Sequence, residues 1–287
     1  MIGFVMPNTF RALGKVTTFA GVAIILAASA GSAAAAIAPT NQWKFDEQAA
    51  GTNAQDSIGD LTGTPVGDPA PQPSEVVAYS SPSNLGSMEF DGNNYFEIEN
   101  TLAGDFSICA WIKTSSIGGD QHFVGANIIE SETGGFALDY GFGINDQGKL
   151  MFGNGGILNG EETDLNVMGN TVVADNEWHE VCVTRNNTTG ENKLFVDNHL
   201  DATGVTGVGL VTSNEVARIA SGTDGAAPFV GLIDDLRLYQ EVIPAESIDP
   251  RVRSLANTGS NDLALGAFGG LLIVLGAAFS SISRAKK

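Results

Sequence analysis

Alternating apolar and polar positions predict β-strands over most of the chain after residue 88. The clearest case is the segment 178–185, in which Val181 and Val183 share one face and Cys182 lies on the other. A polar stretch rich in Asn, Thr and Gly follows, and the largely apolar segment 193–197 comes after it. Because Asn and Gly tolerate the positive φ of a chain reversal, these two segments predict one long β-hairpin.

Further strands are predicted by the same alternation, and no helical periodicity is sustained between them. With the hairpin, the predicted strands are 88–90, 95–98, 106–113, 122–124, 135–144, 149–152, 171–173, 178–185, 193–197, 216–220 and 229–239. Five prolines between residues 45 and 88 would interrupt a continuous ladder, so edge strands and surface loop are expected there. The pattern predicts an all-β domain.

Five motifs in chain order carry a resemblance to a known fold. They are Trp43–Glu47 (WKFDE), Met88–Phe96 (MEFDGNNYF), Phe106–Lys113 (FSICAWIK), the hairpin Trp178–Asp197, and Gly231–Tyr239 (GLIDDLRLY). Together they resemble the laminin G-like and pentraxin families of the concanavalin A-like lectin/glucanase group. The resemblance implies a jelly-roll sandwich of two antiparallel sheets over residues 37–254. Asn198 stands where the family has Gly, and Asn also tolerates the left-handed conformation that the turn needs.

The resemblance also implies a disulfide and a calcium ion. Cys109 and Cys182, the two cysteines of the chain, occupy the strand positions at which pentraxins carry a bonded pair, with two buried free thiols as the alternative. Asp234 stands where the sandwich's relatives commonly hold a structural Ca²⁺, with Asp46 and Asp91 as further candidate ligands. The alternative is an Asp234 that is exposed or paired with Arg237.

Catalytic chemistry is not predicted. Glycosidases of this superfold place three acids on one strand face, and Glu89 and Asp91 begin such a pattern. Asn93 and Asn94 stand where the third acid would be, and an amide is not a general acid. The three histidines have no Cys or His partner at zinc-ligand spacing, and His179 is interpreted as a hairpin residue.

Candidate ligand contacts lie in glycine-rich loops at the rim of the sandwich. Glycines let a ligand approach the backbone, and Asn, Asp and Tyr side chains hydrogen bond to hydroxyl groups. The candidates are Asn93, Asn94, Asp139, Tyr140 and Asn154. The alternative is that these residues only stabilise turns. For the three tryptophans, packing in the core is favoured over stacking against a sugar.

Charge narrows the class of partner. The chain has 33 acidic and 14 basic residues, and five of the basic ones lie in the two terminal segments. A nucleic-acid partner is therefore excluded as the main interpretation, because phosphate binding needs a basic surface. Solubility outside a cell explains the acidity, and cation binding is the alternative.

Both terminal segments carry targeting patterns. Arg11 and Lys15 precede an apolar run and the small residues that end at Ala36, which predicts a signal peptide over 1–36 that signal peptidase removes. A retained membrane anchor is the alternative.

At the other end, Leu255, Ala256, Asn257, Thr258 and Gly259 precede an apolar span over 263–282 and a basic tail. This order resembles the LAxTG sortase signals of actinobacteria. It implies that a sortase cleaves after Thr258 and joins the chain to peptidoglycan, and an ordinary transmembrane anchor is the alternative.

These observations predict an exported, non-enzymatic binding module held on the cell wall of a Gram-positive, actinobacterial-like bacterium. It would span the membrane only before processing. Lectin-like glycan binding is the first hypothesis. A structural or protein-binding surface module is the second, and a glycoside hydrolase of the same superfold is less favoured, because the fold does not settle the function.

Overall fold

A computed structural model describes residues 37–133, 138–221, 228–245 and 248. The predicted signal peptide, the LANTG motif and the apolar span 263–282 lie outside the described residues. Among the described residues, no helix is long and apolar enough to cross a bilayer.

The described residues form sixteen strands. In chain order they are β1 (Asn41–Trp43), β2 (Ala54–Gln55), β3 (Thr62–Val66), β4 (Gln72–Ser74), β5 (Ser87–Asp91), β6 (Tyr95–Glu99), β7 (Phe106–Thr114), β8 (Ala126–Ser131), β9 (Tyr140–Ile144), β10 (Lys149–Leu158), β11 (Glu161–Val172), β12 (Trp178–Arg185), β13 (Glu191–Val196), β14 (His199–Val205), β15 (Val216–Ile219) and β16 (Val230–Tyr239). One 3-10 turn, His122–Val124, lies between β7 and β8.

The strands pair in two eight-stranded sheets. Sheet A has the order β14-β13-β12-β7-β16-β5-β4, with β1 also paired to β16. Sheet B has the order β11-β10-β9-β8-β15-β6-β3-β2. Every pairing between these strands is antiparallel. The predicted sandwich of two antiparallel sheets is confirmed.

One apolar core lies between the sheets. Strand alternation sends Ile108 and Ile112 of β7 and Phe96 of β6 into it, and all three side chains are buried. Burying a side chain of this size stabilises the fold by about 1.5–3 kcal/mol. The hairpin of β12 and β13 adds Val183 opposite Leu194 to the same core.

The outward face of sheet A is also covered. Cys109 and Cys182 pair on this face and form a disulfide, which confirms the predicted bond. Tyr239, Ile243 and Ile248 pack against the disulfide. Further along the sheet, Tyr79 of the β4–β5 loop packs against the ring of Trp111 with centroids 5.8 Å apart. Beneath this cover Arg237 forms a fully buried ion pair with Glu180.

Several strand predictions need correction. The segment 122–124 is a 3-10 turn and not a strand, and the predicted strand at 149–152 continues to Leu158. The predicted segment 171–173 is only the end of the long strand β11. Strands β8 and β14 were not predicted from the sequence. Asn198 has φ 66°, so the left-handed turn expected there is confirmed.

Candidate functional site: the outward face of sheet B

Sheet B presents polar side chains on the face that points away from the core. Phe96 and Ile98 of β6 point inward, so Tyr95, Glu97 and Glu99 point outward. The guanidinium of Arg218, on the neighbouring β15, lies 3.2 Å from Glu97 Oε1 and 5.0 Å from the centroid of the Tyr95 ring. A flat aromatic ring, a cation and an acid therefore share one open surface.

A cleft of about 750 Å³ opens on this face. Its polar lining includes Thr62, Thr64, Glu97, Glu99, Asn214 and Glu215. The volume lies within the range of small-molecule sites, about 300–1,000 Å³. Carboxylates, amides and hydroxyls are suited to the many hydroxyl groups of a saccharide, because each can accept or donate hydrogen bonds.

A second polar group lies at the other end of the same face. The 3-10 turn with His122 crosses the outward side of β9 and β10, where the chain has glycines. A Cβ at Gly153 would overlap the imidazole of His122, and one at Gly143 would overlap the side chain of Asn127. The glycines thus leave the space in which His122 and Asn127 are buried.

The imidazole of His122 is surrounded by carboxylates. Its Nε2 lies 3.0 Å from Glu132 Oε1 and 3.3 Å from Asp164 Oδ1. Side-chain ligand atoms of His122, Glu132 and Asp139 all lie within 4.8 Å of one another. Neither Nε2 nor Glu132 Oε1 has a hydrogen-bond partner of acceptable geometry among the described residues, so their contact is electrostatic.

Burial and charge act together on these groups. Burial and, after it, the nearby charge of Glu132 together raise the pKa of Asp139 to about 6. Burial lowers the pKa of His122, but Glu132 and Asp164 outweigh this effect and raise the pKa above its ordinary value. The backbone oxygen of Glu132 accepts a 2.9 Å hydrogen bond from Asn214, which lines the cleft, so the two polar groups are structurally connected.

The predicted calcium ligand lies on sheet A. Asp234 is buried, and its Oδ2 accepts 3.0 Å hydrogen bonds from the Ala78 amide and from Asn84 Nδ2. Its Oδ1 is buried without a hydrogen-bond partner in the described part of the chain. Burial outweighs the two hydrogen bonds and, with the charges of Asp235 and Asp46, raises the pKa of Asp234 to about 7. An orphaned buried carboxylate oxygen beside a second acid suits Ca²⁺, which prefers oxygen ligands.

Comparison with known proteins identifies the family. Residues 90–249 match the model of the concanavalin A-like lectin/glucanases superfamily. The chain belongs to this superfamily. Human pentraxin-4 is 25% identical over 156 residues, which are 49% of this chain and 30% of pentraxin-4. The chain therefore spans less than a third of that relative's length.

Solved structures share the lectin-like fold. Domain 4 of AbnA, an extracellular arabinanase of Geobacillus stearothermophilus solved with arabinotriose, is similar at a TM-score of 0.52 and 18% identity, over 76% of this chain and 98% of that one. The binding domain of Paraclostridial Mosquitocidal Protein 1 is similar at a TM-score of 0.54 and 11% identity, over 76% of this chain and 51% of that one. At these identities the likeness establishes the fold alone.

The three predicted calcium ligands, Asp234, Asp46 and Asp91, do not all lie close to one another. Asp46, whose Oδ1 accepts hydrogen bonds from the Leu85 and Gly86 amides, contributes charge near Asp234. Asp91 pairs with Val230, four residues from Asp234 along β16, or about 13 Å at the rise of a strand. Asp91 therefore lies apart from Asp234. Asp235, and not Asp234, lies beside Arg237, at 3.7 Å.

The predicted ligand contacts are also dispersed. Asn93 and Asn94 form the β5–β6 turn, where Asn94 is buried and accepts a hydrogen bond from the Asp91 amide. Tyr140 lies in the core against Phe106. Asn154 is buried and bonds to Thr206 and Gly207. Asp139 is the predicted contact that the structure places in the His122 group on the outward face of sheet B.

Sequence reasoning missed His122, Glu132 and the cleft acids. The sequence offered little indication of them, because these residues lie on separate strands and loops. Only the order of strands in the sheet brings them close together. One usable signal was the alternation of glycines in Gly141-Phe142-Gly143, since a strand with glycine on one face leaves room for neighbouring side chains.

Proposed function

We propose that this domain is a non-catalytic module that binds a glycan on the outward face of sheet B. The observation that carries the proposal is the polar cleft on the sheet face that also presents Tyr95 and Arg218. A pyranose or furanose placed in the cleft would find carboxylates, amides and hydroxyls that hydrogen bond to its hydroxyl groups.

The similar arabinanase domain supports this choice of ligand class, because its structure holds arabinotriose and nearly the whole of that domain matches this chain. A non-catalytic role is supported by the acids of β5. Glu89 and Asp91 are exposed on sheet A, which is not the sheet that carries the cleft.

A glycan array followed by calorimetry with the full-length protein tests the proposal. Glu99→Gln and Glu215→Gln remove charge from the rim of the cleft, and each should weaken binding of the best array ligand at least tenfold. Glu89→Gln is the matched control on sheet A and should leave the affinity unchanged. Absence of any glycan ligand, with capture of a defined surface protein instead, would favour the protein-binding alternative.

We also propose that Asp234 and Asp46 hold a structural Ca²⁺. The support is the unpartnered Oδ1 of Asp234 and the second acid nearby. If so, a chelator should lower the melting temperature by several degrees and added Ca²⁺ should restore it. A melting temperature that does not respond to either reagent would remove the proposal.

Finally, we propose export by the segment 1–36 and attachment through the LANTG motif. The support is the order of motif, apolar span and basic tail in the sequence. Signal peptidase, sortase and peptidoglycan are the partners that this processing requires, and the cell wall is the resulting location.

A further inference from the structure

We propose that His122, Glu132 and Asp139 bind a divalent transition-metal ion of the zinc class on the outward face of sheet B. Asp164 lies at the solvent side of this site. The site is separate from the Asp234 carboxylate on sheet A, and it does not depend on glycan binding.

The first argument is the tautomer of His122. Its Nδ1 lies 2.7 Å from Asn166 Oδ1, an oxygen that also accepts a 2.9 Å hydrogen bond from the His122 amide. The Nδ2 of Asn166 donates to Gln121 Oε1 at 2.5 Å, which fixes the orientation of the amide. Nδ1 therefore carries a hydrogen, and a neutral ring has its lone pair on Nε2. Histidines that bind metals commonly donate the other ring N–H to an oxygen in this way.

The second argument is what surrounds Nε2. The ring is fully buried, and Nε2 has no hydrogen-bond partner among the described residues. Glu132 Oε1, 3.0 Å away, is also buried without one. In the neutral ring the lone pair of Nε2 faces the Glu132 carboxylate, and either a proton or a bound cation on Nε2 makes this contact favourable. Ligand atoms bound at about 2.1 Å to one ion lie about 3.0–3.5 Å apart, which agrees with 3.0 and 3.3 Å from Nε2 to Glu132 and Asp164.

The third argument concerns the type of ion. Three carboxylates surround one imidazole, so a single proton on Nε2 would compensate only part of their charge. Calcium and magnesium prefer all-oxygen sites, whereas zinc accepts imidazole nitrogen together with carboxylate oxygen. An entry path exists because the side chain of Asp164 is 36% exposed, while that of Glu132 is 10% exposed.

Calorimetry with Zn²⁺ on the full-length protein, after removal of metals by a chelator, tests the site. One equivalent of Zn²⁺ should bind, more tightly than Ca²⁺ or Mg²⁺ at the same site. Glu132→Gln and Asp139→Asn keep the side-chain shapes and should each weaken this binding at least tenfold. His179→Gln is the matched control, because His179 also contacts two carboxylates, Asp175 and Asp197, but is hydrogen bonded to both.

A measurement on the wild-type protein keeps the test valid if a variant does not fold. The ¹⁵N resonances of the histidine rings should show that Zn²⁺ shifts Nε2 of His122 and leaves His179 and His199 unchanged. The proposal is overturned if Zn²⁺ does not bind at one equivalent, if His179→Gln weakens binding as much as the carboxylate variants do, or if the ring of His122 does not respond.

Discussion

At the residue scale, the buried polar side chains differ in whether neighbouring residues satisfy their hydrogen-bonding atoms. Arg185 shows the structural kind: its guanidinium donates to backbone oxygens of Gly104 and Gly209, and it lies over the ring of Phe106. Asp234 and His122 differ, because each has a buried polar atom that no described residue satisfies. Such atoms cost about 1–3 kcal/mol when nothing pairs with them, so both are places where a bound ion would stabilise the fold.

Asp234 should make stability depend on pH when calcium is absent. Its pKa is about 7 in the folded protein and near 3.8 when unfolded, so the folded state holds a proton that the unfolded state has lost between these values. When a chelator has removed calcium, the free energy of unfolding should fall by at most about 4 kcal/mol as the pH rises from 4 to 7.

Asp234→Asn is neutral at every pH and should lose this part of the dependence. Urea unfolding of both proteins at pH 5 and pH 8 measures the difference. Calcium should stabilise the wild type at pH 8 and not the variant. Parallel pH curves for the two proteins would count against the buried, protonated carboxyl.

Gly153 should resist substitution although it lies in a strand. A Cβ there would overlap the imidazole of His122 and the side chain of Asn166. Gly153→Ala should therefore destabilise the protein by about 1–3 kcal/mol in urea unfolding. Gly104→Ala is the control, because its Cβ would come no closer than 3.6 Å to any neighbour. Equal losses at the two positions would show that the space beside His122 is not the cause.

At the element scale, the hairpin of β12 and β13 was predictable because neither strand contains a glycine that interrupts the alternation of inward and outward side chains. Strands β10 and β11 were predicted only in part, because Gly153, Gly155 and Gly156 weaken the strand signal of β10 and because β11 is mostly polar. The turn between them, with Asn159 and Gly160 both at positive φ, is a strong hairpin signal that sequence reasoning passed over. The site depends on these glycine-rich strands, so the prediction of the site failed where that of the strands failed.

The disulfide joins β7 and β12 at the centre of sheet A, across a separation of 73 residues. Closing a loop of this length should stabilise the fold by about 4 kcal/mol on the chain-entropy model. Reduction should lower the free energy of unfolding of the wild type by about this amount. The double variant Cys109→Ala and Cys182→Ala should not respond to the reductant. Two reactive thiols in the unfolded, unreduced protein would contradict the bond.

At the scale of the whole molecule, the two sheets differ in how they are used. Sheet A is covered on both faces, by the core and by Tyr79, Ile243 and Ile248. Sheet B has its core on one side and the polar cleft and the His122 group on the other. Alternation in the sequence predicted the strands, and the family resemblance implied that they form two sheets. Neither signal predicted which of the two outward faces carries the cleft, because that depends on which sheet the loops pack against, and these loops are distant in sequence.

The proposed attachment makes a prediction for the intact chain. Peptidoglycan digestion should release the protein with Thr258 as its last residue, and detergent alone should not. Thr258→Ala should keep the protein in the detergent-soluble fraction, since the sorting motif is lost. Asn257→Ala changes the variable position of the motif and should be processed normally. Full release of the wild type by detergent, with Lys287 present by mass spectrometry, would contradict sortase processing.

The packing of Ile248 against the disulfide has a consequence for presentation. Ile248, the last residue that the structure describes, lies on the outward face of sheet A, whereas the cleft lies on the outward face of sheet B. Thr258 follows Ile248 by ten positions, and a chain of that length reaches at most about 35 Å. Under the proposed attachment at Thr258, such a tether would keep the domain within that distance of the wall, while the cleft lies on the other sheet from the residue at which the tether begins.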